Sequence, residues 1–527
     1  MMMMGSDLYF QLTPSPEGVL FCLRSTASLM KMAGGFALFS SLLFLIVSLL
    51  LLAPVSSSSS DTLLLPLSHT LSNTPTADTP HLIKAASARS AARFQRHRGR
   101  QRREISLPLA SGTDYTLSLP LGPHQSQSVT LYMDTGSDLV WLPCHPFECI
   151  LCEGRPKPTP YNLSSSPAIP CHSHFCSAAH SNLPPSDLCA MAKCSLDNIE
   201  TDGCSSSRCP PFYYAYGDGS LVANLHRESL LIPTSNPSSP YIRLSNFTFG
   251  CAHTALAEPI GVAGFGRGIL SLPAQLSAFS PHLGSRFSYC LIAHSFDSSR
   301  LHRPSPLILG RSEGANVEGE EQFVYTPMLH NPKHPYFYSV GLEAVSVGGR
   351  IIPAPENMKT VNRRGDGGVV VDSGTTFTML PQGMYAAVLE QFDRKMRGKY
   401  ERASETEAEL GLGRCYFYGG SGSGSGSEEK VAAPGVVLHF GGNASVALPR
   451  RNYFMGVLTE SAGRKRRVGC VMVMNGGDDA EAGGGGPAAT LGNFQQQGFE
   501  VVYDLKQRRV GFARRRCASL WDTVSRD

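Results

Sequence analysis

Two segments of this chain repeat one pattern. Leu131-Tyr-Met-Asp134-Thr135-Gly136-Ser137 and Val369-Val-Val-Asp372-Ser373-Gly374-Thr375 are each an apolar run followed by an acid, a small hydroxyl residue, a glycine and a second hydroxyl residue. The two acids stand 238 residues apart, on the order of one and a half typical domains. An echo on that scale predicts two related lobes, each giving one carboxylate to a shared site. Two carboxylates held together do not both ionise readily, so they divide into an acid and a base. Glycine permits a tight turn in which backbone N–H groups approach the carboxylate. The hydroxyls of Ser137 and Thr375 are expected to donate to their own carboxylate, and those of Thr135 and Ser373 to tie one loop to the other.

The chain has 527 residues, 42% of them hydrophobic, enough for a large core and more than one domain. Phe36 to Ala53 is almost wholly apolar, with Lys31 before it and Ser56 to Ser60 after it. That reads as a secretory signal peptide within a leader of residues 1–57, the true start being Met30 or Met32. The length of the apolar span also suits a retained signal anchor. Fourteen cysteines follow the one in the leader, nine of them between Cys144 and Cys209. Downstream of a signal peptide such a cluster reads as disulfides rather than a metal site, and their pairing is not legible. No metal and no cofactor are expected. Sequons at Asn162, Asn246 and Asn443 predict N-glycosylation.

The formal net charge of +4 hides an asymmetry, because Arg93, Arg96, Arg98, Arg100, Arg102 and Arg103 crowd one short stretch. A basic run also reads as a nucleic-acid patch or a solvated spacer. In a secreted chain, directly before the first β-rich segment, it suggests a prosegment over residues 58–104 whose cations cover an acidic cleft. From Ile105 onwards the texture is mostly β, with short apolar or alternating runs bounded by Gly, Pro and Ser. Helices are expected near Pro381–Met396, with Pro381 in the first turn, and near Leu272–Ala278. Gly419–Ser427 and Asn475–Gly486 read as surface insertions. His172, His174 and His334 read as surface residues rather than metal ligands.

These motifs resemble those of pepsin-like aspartic proteases, in particular the plant nepenthesin-type group, over roughly Leu109 to Phe512. Asp134-Thr-Gly-Ser-Asp-Leu-Val-Trp141 and Asp372-Ser-Gly-Thr-Thr-Phe-Thr match the two active-site motifs of that family. Tyr214-Ala-Tyr216-Gly217-Asp-Gly-Ser220 resembles its flap, with Tyr216 as the flap tyrosine, Tyr214 as the lesser candidate and Trp141 as support. Gly261-Val-Ala-Gly264 and Leu491-Gly492-Asn-Phe-Gln-Gln resemble the segments behind each catalytic loop. The resemblance implies a two-lobed, mostly β fold with a central cleft, residues 105–322 forming an N-terminal lobe and 323–527 a C-terminal lobe. It also implies an endopeptidase working at acidic pH, with Asp134 and Asp372 activating water. The other reading is an inactive pepsin-fold binding protein, such as an inhibitor of cell-wall-degrading enzymes. Expected partners are protein or peptide substrates, with no nucleic acid, no stable membrane association after signal cleavage, and a monomeric state. The expected location is the apoplast, or else the vacuole or another endomembrane compartment.

Overall fold

A computed structural model of the chain describes residues 62–73, 79–97, 115–122, 127–152, 158–163, 169–180, 208–216, 219–234, 241–297, 300–301, 303–311, 322–418, 431–461, 464–477 and 486–524. The leader, the arginines beyond His97, the Gly-Ser tract and most of the acidic insertion near 480 lie outside these residues. The molecule is mostly β, two-lobed and pepsin-like.

The first acid ends a strand that earns its place by alternation. Strand β2 (Tyr115–Leu121) and β3 (Gln127–Asp134) pair antiparallel, and Leu117, Leu119, Val129, Leu131 and Met133 turn inward. After the acidic loop comes β4 (Val140–Ile150). A hairpin of β5 (Phe212–Tyr216) and β6 (Gly219–Pro233) follows, then β7 (Tyr241–Leu256) and β8 (Gly261–Gly264). Strand β8 runs parallel to β3, with Asp134 opposite Gly264, and antiparallel to β4. The second acid repeats this plan. Val369–Val371 runs parallel to Ala489–Leu491, which also touches Thr378–Leu380 in antiparallel register. The strands before and after each acidic loop therefore clasp a third strand that ends at a glycine.

Those glycines are demanded by packing. A Cβ on Gly264 would stand 2.6 Å from Leu139 O, and one on Gly492 2.5 Å from Thr376 O. The lobes meet on a six-stranded antiparallel layer. Its order is β1 (Leu63–His69), β10 (Ser305–Leu309), β9 (Arg286–Cys290), Phe499–Asp504, Arg509–Arg514 and β11 (Val324–Leu329). One continuous core draws on both halves, including Leu131, Phe265, Tyr338, Val371 and Tyr503. The helix Gln382–Met396 buries Met384, Val388, Leu389, Phe392 and Met396; Pro381 is its N-cap rather than a first-turn residue.

The basic stretch holds more order than its charge predicts. Strand β1 alternates buried and less buried residues and occupies the edge of the six-stranded layer. Helix α1 (Thr79–His97) buries Leu82, Ile83, Ala86, Ser90, Arg93 and Phe94, a helical stripe. It packs in a second cluster with Phe296, Phe377, Met379, Leu410, Met455, Val457 and Phe494. Each fully buried Leu, Ile or Phe is worth roughly 1.5–3 kcal/mol, so the segment is anchored by its apolar face as well as by charge.

Disulfides whose two cysteines are both among the described residues join Cys144 to Cys251, Cys149 to Cys152, Cys176 to Cys209, Cys290 to Cys517 and Cys415 to Cys470. Cys171 is also disulfide-bonded. Among the described residues two groups of His and Cys approach one another closely, Cys176/His180/Cys209 and His226/Cys251/His253. Their cysteines are in these disulfides, so no thiolate is offered. No helix among the described residues is long and apolar enough to cross a membrane.

Candidate active site

The two acidic loops face each other at the lobe interface. Asp134 and Asp372 are both buried, at 3% and 0% exposure. Gly136 N–H donates to Asp134 Oδ1 (2.9 Å) and Gly374 N–H to Asp372 Oδ1 (2.8 Å), the local turn predicted from the motif. Thr375 Oγ1 donates to Asp372 Oδ2 (2.6 Å). Ser137 corrects the expectation drawn for it: its buried hydroxyl has no hydrogen-bond partner among the described residues. The echo is thus imperfect, since one oxygen of Asp372 is held by a hydroxyl whose counterpart in the first loop bonds to nothing.

Thr135 and Ser373 do cross the interface. Thr135 N donates to Ser373 Oγ (3.0 Å) and Ser373 N to Thr135 Oγ1 (2.9 Å). Each hydroxyl then donates to the backbone before the opposite acid, Thr135 to Val371 O and Ser373 to Met133 O, both at 3.1 Å. Four reciprocal buried bonds fix one loop against the other. Their glycines allow the acids to approach: a Cβ on Gly136 would stand 2.7 Å from Asp372 Cγ, and one on Gly374 2.4 Å from Asp134 Oδ1. Behind the second loop, Asn493 Nδ2 donates to Ser373 O and Gln496 Nε2 to Asp372 O and Leu491 O. These two side chains support the loop from the segment that the sequence placed there.

One cation sits on both acids. Arg93 Nη2 donates to Asp134 Oδ1 (2.5 Å) and to Asp372 Oδ1 (3.4 Å), while its Nε donates to Asp372 Oδ2 (2.9 Å). Burial by itself would push the guanidinium pKa down, but the two carboxylates outweigh it and hold it above the ordinary value. Arg93 lies on the buried face of α1. The run of charge concealed that face, although Leu82, Ile83, Ala86 and Phe94 recur at helix spacing.

The hairpin places Tyr216 opposite Gly219 at its tip, and Gly217 lies outside the described residues. Trp141 is buried below the hairpin's base, packed in a cluster with Tyr132, Phe212, Leu221 and Val262, against which Tyr214 also lies. Tyr214 carries its hydroxyl to 3.5 Å from Asp138 Oδ1. Asp138 is a half-buried acid four residues beyond Asp134, and burial lifts its pKa to about 6. The sequence reading passed over it, though Asp at that point of the motif was visible. Asn162, Asn246 and Asn443 are all exposed, as a glycan acceptor must be. His172 and His174 are exposed, and half-buried His334 shares a hydrogen bond with the Tyr336 hydroxyl.

Paired lobes, interlocked acidic loops and a hairpin beside them define the pepsin-like aspartic protease class. Family models described as Xylanase inhibitor N-terminal and Xylanase inhibitor C-terminal match residues 115–311 and 337–514. An Arabidopsis thaliana protein named as a probable aspartyl protease is 55% identical over 494 residues, covering 89% of this chain and 95% of its own. Aspartic proteinase nepenthesin-2 of Nepenthes gracilis is 27% identical over 79% of this chain and 81% of its own. The chain belongs to the plant atypical, nepenthesin-type family of pepsin-like aspartic proteases. Among solved structures, basic 7S globulin from soybean superposes with a TM-score of 0.55 at 19% identity, covering 87% of this chain and 99% of its own. The structure titled edgp superposes with a TM-score of 0.56 at 16% identity, over 87% and 96%. At those identities the likeness is one of fold.

Proposed function

We propose that this chain is an aspartic endopeptidase made as a latent precursor in the secretory pathway, whose segment 58–104 must leave before it acts. The observation that carries this reading is the bridging of both carboxylates by one guanidinium. A single planar group reaches both acids, so a water in its place would reach both too. With Arg93 in place that position is filled, and no substrate carbonyl can approach.

Once it is vacated, the chemistry needs only the two acids. The ionised member of the dyad takes a proton from the water as its oxygen attacks the scissile carbonyl carbon. The protonated member gives its proton to the carbonyl oxygen, and a neutral tetrahedral diol results. Collapse returns a proton to the leaving nitrogen and breaks the C–N bond. The dyad titrates as a unit, and only its singly protonated form can perform both transfers. The Thr135–Ser373 lock holds the acids at the spacing this requires. The β5–β6 hairpin is suited to close over an extended peptide and exclude water.

Acid is also the release signal, because protonating either aspartate weakens its hold on Arg93. The cysteine pattern and disulfides support an oxidising compartment, the apoplast or vacuole. Both acids and both glycines are present, which favours catalysis over the inactive binding-protein reading. The test is pepstatin-sensitive peptide hydrolysis by the acid-treated precursor at about pH 3–4, compared with folded Asp134→Asn. Activity lost in the variant supports the dyad; activity retained refutes it.

A further inference from the structure

A second contact between segment 63–97 and the body is built from imidazoles. His69 ends β1 and is buried at 3% exposure, and His294, in the loop after β9, is fully buried. Their rings lie 4.2 Å apart between centroids, tilted by 43°. Tyr115 from β2 meets His69 edge-on at 4.7 Å. Phe296 and Phe494 close the far side of His294 at 5.2 and 6.2 Å. Among the described residues, the titratable groups in ring contact with the pair are the two imidazoles themselves and Tyr115, whose hydroxyl donates to Ile292 O. Gln497 gives His294 its remaining polar contact, at Nε2 (2.8 Å).

The hydrogen bonds fix where the protons are. Leu71 N–H donates to His69 Nδ1 (3.1 Å), and Phe296 N–H donates to His294 Nδ1 (2.9 Å). Both Nδ1 atoms are acceptors, so both rings are neutral with their proton on Nε2, and the Gln497 amide beside His294 is oriented with Oε1 accepting from that N–H. An added proton can go only to Nδ1, where a backbone N–H already points. It would break that bond, set donor against donor and place a charge against the neighbouring ring in a buried site.

We propose that the His69–His294 pair is an acid sensor that releases segment 63–97 from the body. This rests on the reading that the segment is an inhibitory prosegment, and assigns its second anchor. Arg93 holds the helical end through the dyad, while the histidines hold the strand end, where β1 passes from β10 to β2. The sign follows from linkage. Burial holds His294 down to about 3, so it stays neutral against His69, whereas a His69 freed with the segment is an ordinary imidazole, titrating near 6.5. As pH falls below about 6.5 the released state binds protons that the docked state refuses, so docking weakens. The loss approaches tenfold per pH unit for the one imidazole that the segment carries away.

The experiment follows backbone hydrogen–deuterium exchange of peptides from 63–97 in the full-length chain against pH, in the native protein and in His69→Asn/His294→Asn. Asparagine keeps an acceptor for the same backbone N–H but takes up no proton. The double variant is expected to release its segment at least one pH unit lower and with a shallower pH dependence. The same midpoint and steepness as native would refute the sensor while leaving the prosegment reading intact. No release in either protein would refute both. Should the variants fail to fold, imidazole C2–H exchange in the native chain decides. A midpoint well below 6.5 for His69 in the docked chain supports the proposal, and an ordinary midpoint for that ring overturns it. Neither measurement depends on proteolytic activity.

Discussion

Replacing Arg93 by methionine tests whether charge or apolar packing keeps the protein latent. The guanidinium makes three contacts of 2.5–3.4 Å to two acids that are 3% and 0% exposed. Removing one partner of such a buried pair costs about 3–5 kcal/mol. At about 1.4 kcal/mol per decade that is about 10²-fold to about 4 × 10³-fold in the docking equilibrium of the segment. Methionine keeps an unbranched apolar stem, so the packing of α1 survives. Leu82, Ile83 and Phe94 still contribute roughly 1.5–3 kcal/mol each, and the segment remains folded on the body. The assay is the lag in peptide hydrolysis after a jump from about pH 7 to about pH 4. The native precursor should show a lag while the segment leaves, and Arg93→Met should lose most of it. The defect should shrink as the pre-incubation pH falls, because a proton taken up by one aspartate relieves the uncompensated pair. An undiminished lag after neutral pre-incubation would refute the argument, leaving the apolar face of α1 as the whole basis of latency.

Asp138 and Thr135 offer two further tests. The Asp138 carboxyl is lifted to about 6 by burial, so the folded state holds a proton that the unfolded chain releases near 4. Stability from this residue is full below about pH 4 and is lost as pH rises through about 6. Asp138→Asn should therefore match the native protein at about pH 3.5 and exceed it by about 1–2 kcal/mol at pH 7 in urea unfolding; equal gains at both pH values would count against burial as the cause. Thr135→Val removes a buried hydroxyl that donates to Val371 O and accepts from Ser373 N. It should lower the unfolding free energy by about 1–3 kcal/mol and reduce turnover more than substrate affinity. Unchanged turnover would show that the loop lock does not set the spacing of the acids.

The acids, their glycines and the crossing hydroxyls were legible because each is a local pattern. A carboxylate after an apolar strand, with glycine two residues on, has few conformations that satisfy its backbone. The two structural segments behind the loops were legible for the same reason, as a hydrophobic pair ending in glycine. Helix α1 was not, since six clustered arginines dominated the reading of a stretch whose apolar stripe, Leu82, Ile83, Ala86 and Phe94, is sparse among polar and small residues. Ser137 misled because its match to Thr375 is exact in sequence position but not in environment. Only Thr375 has its hydroxyl against the carboxylate. Asp138 escaped notice because its raised pKa comes from burial, which the motif does not encode.

The sequence by itself determined that two lobes would each bring an acid to one site, that cysteines would staple the chain, and that a basic segment would precede the catalytic body. These follow from periodicity, residue type and spacing, which act within a few residues. Tertiary structure alone decided which arginine fills the site, which cysteines join across as many as 227 residues, and that His69 lies on His294. Such pairings depend on how distant strands register once the lobes close, and chain closure brings together groups whose separation along the sequence carries no signal.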